Sequence, residues 1–408
     1  MTNSSISWRL ALFYAALFGA VGLQLPYWQV WLSGKGLTPA LLGLAMGLGL
    51  FARAVSGPLF GYAADRAANR RGATILLSAC GLAGLLCFLV VDGIAALIAV
   101  NVVVAMFLAA LNPMIESMGV RASFARGLNY GGLRIWGSLA FMVSVFLGGY
   151  LLGEFGSSAI YWSVVSATGL ALAVAFLLPP DRFVLPDGHE EVAVPFSREA
   201  VMQLIRSPLF LLFLGGAATI QASHALYYTL GTVHWKGMGI SGPWLSVLWT
   251  VGVAAEVVLL YTFGGARRGR LGATGWMMIG AAAALLRWTL IALDPPYGLL
   301  VPVQLLHGLT FGAAHLGAMM FLAQAVPHAF AATAQTLYSS AFAVLLGLAS
   351  MISGSLYESW GGAAYGLMAA MAAAGALLVA VLSRLWAGGA VMEAAGAPSA
   401  RPAPASAD

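Results

Sequence analysis

Apolar residues along this chain run on for about 20 positions at a time, and polar residues collect in the gaps between the runs. A helix rises about 1.5 Å per residue, so runs of this length with few charges are what a bilayer-crossing helix requires. Twelve spans are predicted, over 9–31, 40–62, 73–91, 95–117, 131–152, 159–178, 208–232, 243–264, 272–293, 298–323, 330–354 and 362–386. The longest charged interval, "PPDRFVLPDGHEEVAVPFSREAVMQLIRS", falls between the sixth and seventh and divides six spans from six. Within it, "FSREAVMQLI" predicts a short helix on the membrane surface. The expected organisation is a six-helix half over 1–180, a cytoplasmic linker over 181–207, a second six-helix half over 208–386, and an Ala/Pro/Ser-rich tail over 387–408 that lacks the apolar content to pack.

Composition sharpens that picture. Of 408 residues 61% are hydrophobic and only 8% charged, whereas a soluble domain carries about a quarter of its residues as charges. With a mean hydropathy of +0.90, the chain cannot cover itself against water, and lipid must be its solvent. An all-α, multi-pass membrane protein follows. The net charge of +5 does not point to nucleic acid, because the basic residues sit in the loops. If the N-terminus is inside, Arg66, Arg70, Arg71, Arg126, Arg182, Arg206, Arg267, Arg268 and Arg270 share its side, and the opposite loops carry only Lys35 and Lys236. That asymmetry predicts both termini in the cytoplasm, in a bacterial inner membrane. The first run has no small-residue cleavage site and is expected to remain as a helix. Cys80 and Cys87 lie two turns apart on one predicted helix, about 10 Å along its axis, too far to bridge.

The halves echo each other where their second and third spans are joined: "GYAADRAANRRG" in the first, "FGGARRGRLG" in the second. A six-plus-six chain with a repeated joint predicts a transporter with its site between the halves. The enzyme class lacks its motifs: there is no Gly-x-Ser-x-Gly, no His-Glu-x-x-His and no phosphate-binding Gly-x-x-x-x-Gly-Lys. No cofactor and no metal is expected, and any driving force would come from an ion gradient. The expected partners are a small-molecule substrate, protons and the bilayer, with the chain acting as a monomer.

Five charged residues fall inside predicted spans: Arg53, Glu116, Arg134, Glu256 and Arg287. A charge at mid-bilayer costs about 2.5–3.5 kcal/mol on insertion scales, so such residues face a cavity or each other and are functional candidates. Glu116 ends the fourth span and Arg134 begins the fifth, so their side chains reach similar depth; they form a charge-assisted pair, or each snorkels to the surface. Arg53, a turn before Gly57 and Pro58, is a second cationic contact for an anion or a structural partner. Glu256, flanked by apolar residues, is a candidate proton acceptor or the ionised partner of Arg287. His307, Phe311 and His315 share one helical face, which suits a proton relay, and His224 with Tyr227 and Tyr228 stands on the seventh span. Softer candidates are Gln24, Tyr27 and Trp28 around Pro26, the aromatics Tyr130, Trp136 and Phe141 beside Arg134, and Gln304 below His307.

The first joint resembles the loop signature of the major facilitator superfamily through Gly61, Asp65, Arg66, Arg70 and Arg71, with Ala68 where that family has a second glycine. The resemblance implies the major facilitator fold and a gating role for this loop. The stretch "LNYGGLRIWGSLAF" is similar to that of the lactose/proton symporter branch, whose sugar-binding Glu/Arg pair has the spacing of Glu116 and Arg134; Arg134 would then bind substrate, held by Glu116. In the same comparison Glu256 and Arg287 match a functional glutamate and arginine. Thr310 stands where that branch has a proton-releasing glutamate, so a proton here would be carried by Glu256, His307 or His315. The segments "QASHALYY", "LWTVGVAAEV", "LLRW" and "QLLHGLTFG" look like the phenylpropionate permease branch. Proton-coupled symport of a small aromatic acid by alternating access is the expectation. A sugar or nucleoside symporter and a drug/proton antiporter are the alternatives.

Overall fold

The computed structural model describes residues 1–66, 69–180, 198–264, 271–327 and 330–391. The 181–197 part of the linker, the basic joint at 265–270 and the tail beyond 391 lie outside them, as do the side chains of Asp65 and Arg66. The described chain is helical: α1 (Asn3–Gly34), α2 (Pro39–Arg66), α3 (Arg70–Cys87), α4 (Ile94–Arg126), α5 (Tyr130–Phe155) and α6 (Ser157–Ala175), then the short α7 (Arg198–Arg206), α8 (Pro208–Ala222), α9 (Ala225–Gly237), α10 (Gly242–Phe263), α11 (Ala273–Ala292), α12 (Tyr297–Leu305), α13 (Ala314–Ala325), α14 (Ala331–Trp360) and α15 (Tyr365–Leu385). Short polar residues start several of them as N-caps: Thr2 accepts from Ser5 N, Asn69 from Gly72 N, Asn129 from Gly132 N and Ser207 from Phe210 N.

Among the described residues eleven stretches are long and apolar enough to cross a membrane. The last, Thr333–Leu385, is 53 residues long and folds back on itself through a 3₁₀ turn, Gly361–Ala364, into α14 and α15, which makes twelve spans. Two of the twelve are broken. The seventh is α8 and α9, parted at Ser223–His224; the tenth is α12 and α13 with a π-helical segment, Gly308–Ala313, between them.

The apolar core shows how the two six-helix halves meet. At the end of the molecule away from the N-terminus one cluster takes residues from both halves, among them Tyr27, Leu42, Val145, Leu245, Trp249 and Leu346. At the near end there are two separate clusters, one built around Phe13, Met114 and Leu133 and the other around Phe213, Met277 and Phe321. Glycines allow the far-end contact. A Cβ on Gly47 of α2 would stand 2.7 Å from Gly347 O of α14, and one on Gly242 of α10 would stand 2.7 Å from Gly153 Cα of α5, the small-residue packing that lets membrane helices approach. Among the described residues the hydrogen bonds between halves also lie there: Tyr27 Oη with Ser246 Oγ at 3.3 Å, Ser246 Oγ to Phe146 O at 2.9 Å, and Ala40 N to Glu358 Oε1 at 3.0 Å. The halves are therefore joined at the far end and have separate cores at the near end.

Candidate functional site: a divided polar interior

In the first half, α4 and α5 run antiparallel from a short turn at Gly127, whose φ of 64° ends α4 in the left-handed conformation. The turn places Glu116 opposite Arg134, whose Nε donates to Glu116 Oε1 at 2.8 Å, with both side chains about a third exposed (30% and 32%). They pair; they do not snorkel apart. Glu116 Oε2 also accepts from Tyr14 Oη at 3.1 Å and from Tyr130 Oη. The Arg134 guanidinium lies on the face of Phe18, 4.1 Å from its ring centre. Only Nε of Arg134 is engaged, and its two Nη groups carry no hydrogen bond among the described residues.

Arg53, on α2, stands on a different wall. It lines a cavity of about 170 Å³ between α1, α2, α4 and α6, together with Gln24, Gln29 and Asn112. The side chain is exposed, and no carboxylate, acceptor or ring holds its guanidinium among the described residues.

In the second half the broken spans face each other across Arg287 of α11, which is fully buried. Its Nη1 donates to His307 Nδ1 at 2.9 Å and to Thr310 Oγ1 at 3.2 Å, and its Nη2 to Gln304 Oε1 at 2.5 Å. The guanidinium carbon lies 4.7 Å from the Tyr227 ring centre and 4.6 Å from that of Trp288. Because an arginine can only donate, His307 Nδ1 is an acceptor, and the ring's proton sits on Nε2, 3.6 Å from Glu256 Oε2. His224 Nδ1 donates to Gln221 O at 3.0 Å, and its Nε2 is hydrogen-bonded with Thr310 Oγ1 at 3.0 Å. The Arg287 donor thus fixes Nδ1 of His307 as an acceptor, whereas both ring nitrogens of His224 meet oxygens.

The π-helical segment makes this convergence possible. Widening one turn after His307 turns Thr310 inward toward both Arg287 and His224; π-bulges commonly sit at such positions. Gly308 packs so tightly on α10 that a Cβ would come 2.7 Å from Ala255 O, which brings Glu256 up to His307. Glu256 and Arg287 are consequently not direct partners: the imidazole of His307 lies between them. Phe311 continues the face, its ring 5.7 Å from His307 and 6.2 Å from His315, all three nearly parallel.

Other predicted site residues are placed elsewhere. Tyr27 is fully buried and donates to Val145 O at 2.7 Å within the far-end contact, so it packs the halves together and does not face the cavity. Tyr227 is fully buried as the platform under Arg287, and Gln304 is buried as its acceptor. Trp136 is 54% exposed and makes no ring or hydrogen-bond contact with the Arg134 cluster. Trp28 donates from Nε1 to Asn101 Oδ1 at 2.8 Å. Of the loop signature, Gly61 lies at the near end of α2, Arg70 is buried, and Arg71 donates to Phe176 O at the end of α6 at 2.7 Å, the usual favourable site for a cation. Cys80 and Cys87 are free. Tyr14, Gln29, Asn112 and Thr168 were not predicted. For Asn112 a signal existed: a polar residue one turn before Glu116 and next to an intraspan proline.

Twelve spans in two halves, fused at one end around a polar interior, define a membrane transporter of the major facilitator fold. Similar backbones include the nucleoside transporter NupG, with a TM-score of 0.78 at 16% identity over 93% of this chain and 98% of that one. Another is the xylose transporter XylE of E. coli, at 0.66 and 15% over 94% and 100%; identities this low speak for the fold alone. The chain belongs to the MFS_1 like family, whose pattern matches residues 7–367. It is 29% identical over 373 residues to a probable 3-phenylpropionic acid transporter of Escherichia coli (strain K12), covering 91% of this chain and 96% of that protein. It is 28% identical over 389 residues to the maltose permease of Geobacillus stearothermophilus, covering 91% and 93%. The protein is a transporter of small molecules and not an enzyme.

Proposed function

We propose that the protein carries a small organic acid together with a proton, phenylpropionate being the first candidate, by alternating access of its two halves. The observation that carries this reading is the line from the part-exposed Glu256 through His307 to the buried Arg287. Glu256 is the part-exposed end of that line, and a proton arriving there removes the negative charge facing Arg287 across the imidazole. The Arg287 bonds must then redistribute, and they tie α11 to the tenth span, with the Tyr227 ring of the seventh against the same guanidinium. In the first half Arg53 and Arg134 are the two candidate cationic contacts for the acid.

Charge balance favours coupling. With Arg53, Arg134 and Arg287 cationic and Glu116 and Glu256 anionic, one monoanion and one proton add no net charge to the interior. Empty and loaded carriers thus meet the same electrostatic cost when the halves close. The separate near-end cores correspond to an inward-facing carrier, with both termini cytoplasmic in a bacterial inner membrane and the monomer as the working unit. The halves are the 1–180 and 208–386 segments, and Gly61, Asp65, Arg66, Arg70 and Arg71 gate the cytoplasmic side. His224 and His315 complete the proton-responsive group.

The test is uptake of labelled phenylpropionate into proteoliposomes with an acid exterior. Uptake driven by the pH gradient and insensitive to an imposed potential is expected. Glu256→Gln should lose that drive yet keep exchange of internal for external substrate. Uptake that follows the potential, or a Glu256→Gln variant that still accumulates substrate against a gradient, overturns the coupling. A second reading, a sugar or nucleoside, draws on the Glu116–Arg134 pair with its two tyrosine hydroxyls, which could bind substrate hydroxyls; competition by maltose or a nucleoside, and not by aromatic acids, would select it.

A further inference from the structure

The two guanidinium groups of the first half are not equivalent. Arg134 is neutralised in place: Glu116 takes its Nε at 2.8 Å and is itself held by Tyr14 and Tyr130. Arg53 has no counter-charge, no acceptor and no ring among the described residues, although it sits mid-span in a mainly apolar wall. An unpaired intramembrane cation is costly, and packing gives no reason to keep it.

Its cavity has further vacancies for polar bonds. Gln29, 7% exposed, and Thr168, 2% exposed, both line it, and Gln29 Oε1 and Thr168 Oγ1 are buried with no hydrogen-bond partner. Gln24 and Asn112 add two side-chain amides to the same cavity, again without a partner among the described residues. An unpaired cation and two unpartnered side-chain amides on the wall of a single cavity mark a site for a guest that accepts hydrogen bonds. The remaining wall is Leu, Ala, Val, Met and Gly49, with Trp28 and the Asn101 that accepts from its Nε1. A volume of about 170 Å³ is near the roughly 150 Å³ of an engineered cavity that accepts benzene.

Resting on the organic-acid reading, we propose that this cavity inside the first half is where the substrate's carboxylate is bound, with Arg53 as its anchor. Arg53 takes both carboxylate oxygens through a two-pronged bond. The amides of Gln24 and Asn112 complete the polar shell, and one ring or a short hydrocarbon chain fills the apolar end. Arg134 is then a positioning residue that locks α4 to α5 through Glu116. The chemistry selected is a monocarboxylate with a single compact apolar group.

The test compares binding of phenylpropionate with that of its uncharged amide, phenylpropionamide, by calorimetry on the full-length protein in detergent. The unmodified protein should prefer the acid by about tenfold or more, as a charge-assisted bond predicts. Arg53→Gln should abolish that preference; Arg53→Lys, which keeps the charge and guards against a folding artefact, should retain it with weaker binding. Arg134→Gln should leave the preference intact while slowing transport. If Arg53→Gln still prefers the acid, or Arg134→Gln alone erases the preference, the anchor assignment is wrong and the organic-acid reading stands. If the unmodified protein does not prefer the acid, both fall.

Discussion

In the first half the guanidinium of Arg134 meets a carboxylate with both side chains about a third exposed, whereas in the second half the guanidinium of Arg287 is fully buried and its hydrogen bonds go to His307, Thr310 and Gln304, all neutral. The same residue type inside the same membrane is therefore stabilised in two ways. The two Nη groups of Arg134 carry no hydrogen bond among the described residues, so water or a solute can meet them with the Glu116 bond intact. Arg287 has only internal partners, on two broken spans and a π-helical turn, so any change in its bonding must shift backbone. Under the proposed function, that difference separates a region that holds substrate from a region that reports protonation.

The contrast can be broken most severely at Arg287. Arg287→Ala strands three buried acceptors and removes the platform contact with Tyr227, at an expected cost of about 1–3 kcal/mol for each stranded acceptor. It should show as a large drop in the midpoint of thermal unfolding in detergent; an unchanged midpoint would mean that the buried hub is not structural. Next comes Thr310→Val, which deletes the hydroxyl shared by Arg287 and His224 at an expected cost of about 1–3 kcal/mol. Thr310→Ser should restore both stability and gradient-driven uptake, and failure of that rescue would point to the methyl group instead.

The matching change in the first half should be mild. Arg134→Ala breaks an ion pair that is part-exposed, worth about 0–1 kcal/mol, so the unfolding midpoint should move little while transport falls. A destabilisation as large as that of Arg287→Ala would erase the distinction between the halves. The smallest effect is expected at Trp136: Trp136→Ala, at an exposed side chain, should stay within about 0.5 kcal/mol and leave substrate affinity unchanged. A marked loss of affinity would return Trp136 to the binding surface.

Much of this was legible before any coordinates. The common depth of Glu116 and Arg134 was, because a tight turn between antiparallel spans sets it; that they pair and do not snorkel apart was not. The shared face of His307, Phe311 and His315 was too, because a local period survives even with a π turn inside it. Tyr27 was misplaced for a physical reason: an aromatic beside a proline has the same local pattern whether it lines a cavity or packs against another half. Only Ser246 and Val145, distant in sequence, make it a packing residue. The Glu256–Arg287 partnership failed similarly, since the π-helical segment, which puts His307 between them, has no signature in spacing.

What the sequence determined by itself is the solvent, the number of spans, their all-helical character and the list of charges that had to be accounted for. Those follow from run length and from the cost of exposing apolar surface to water or charge to lipid, which act residue by residue. Which charges are paired, which nitrogen of His307 accepts, and that Arg53 lines a cavity with no counter-charge among the described residues were decided only by the tertiary structure. Those properties depend on distances between helices, and glycine contacts and helix breaks far apart in the chain set those distances.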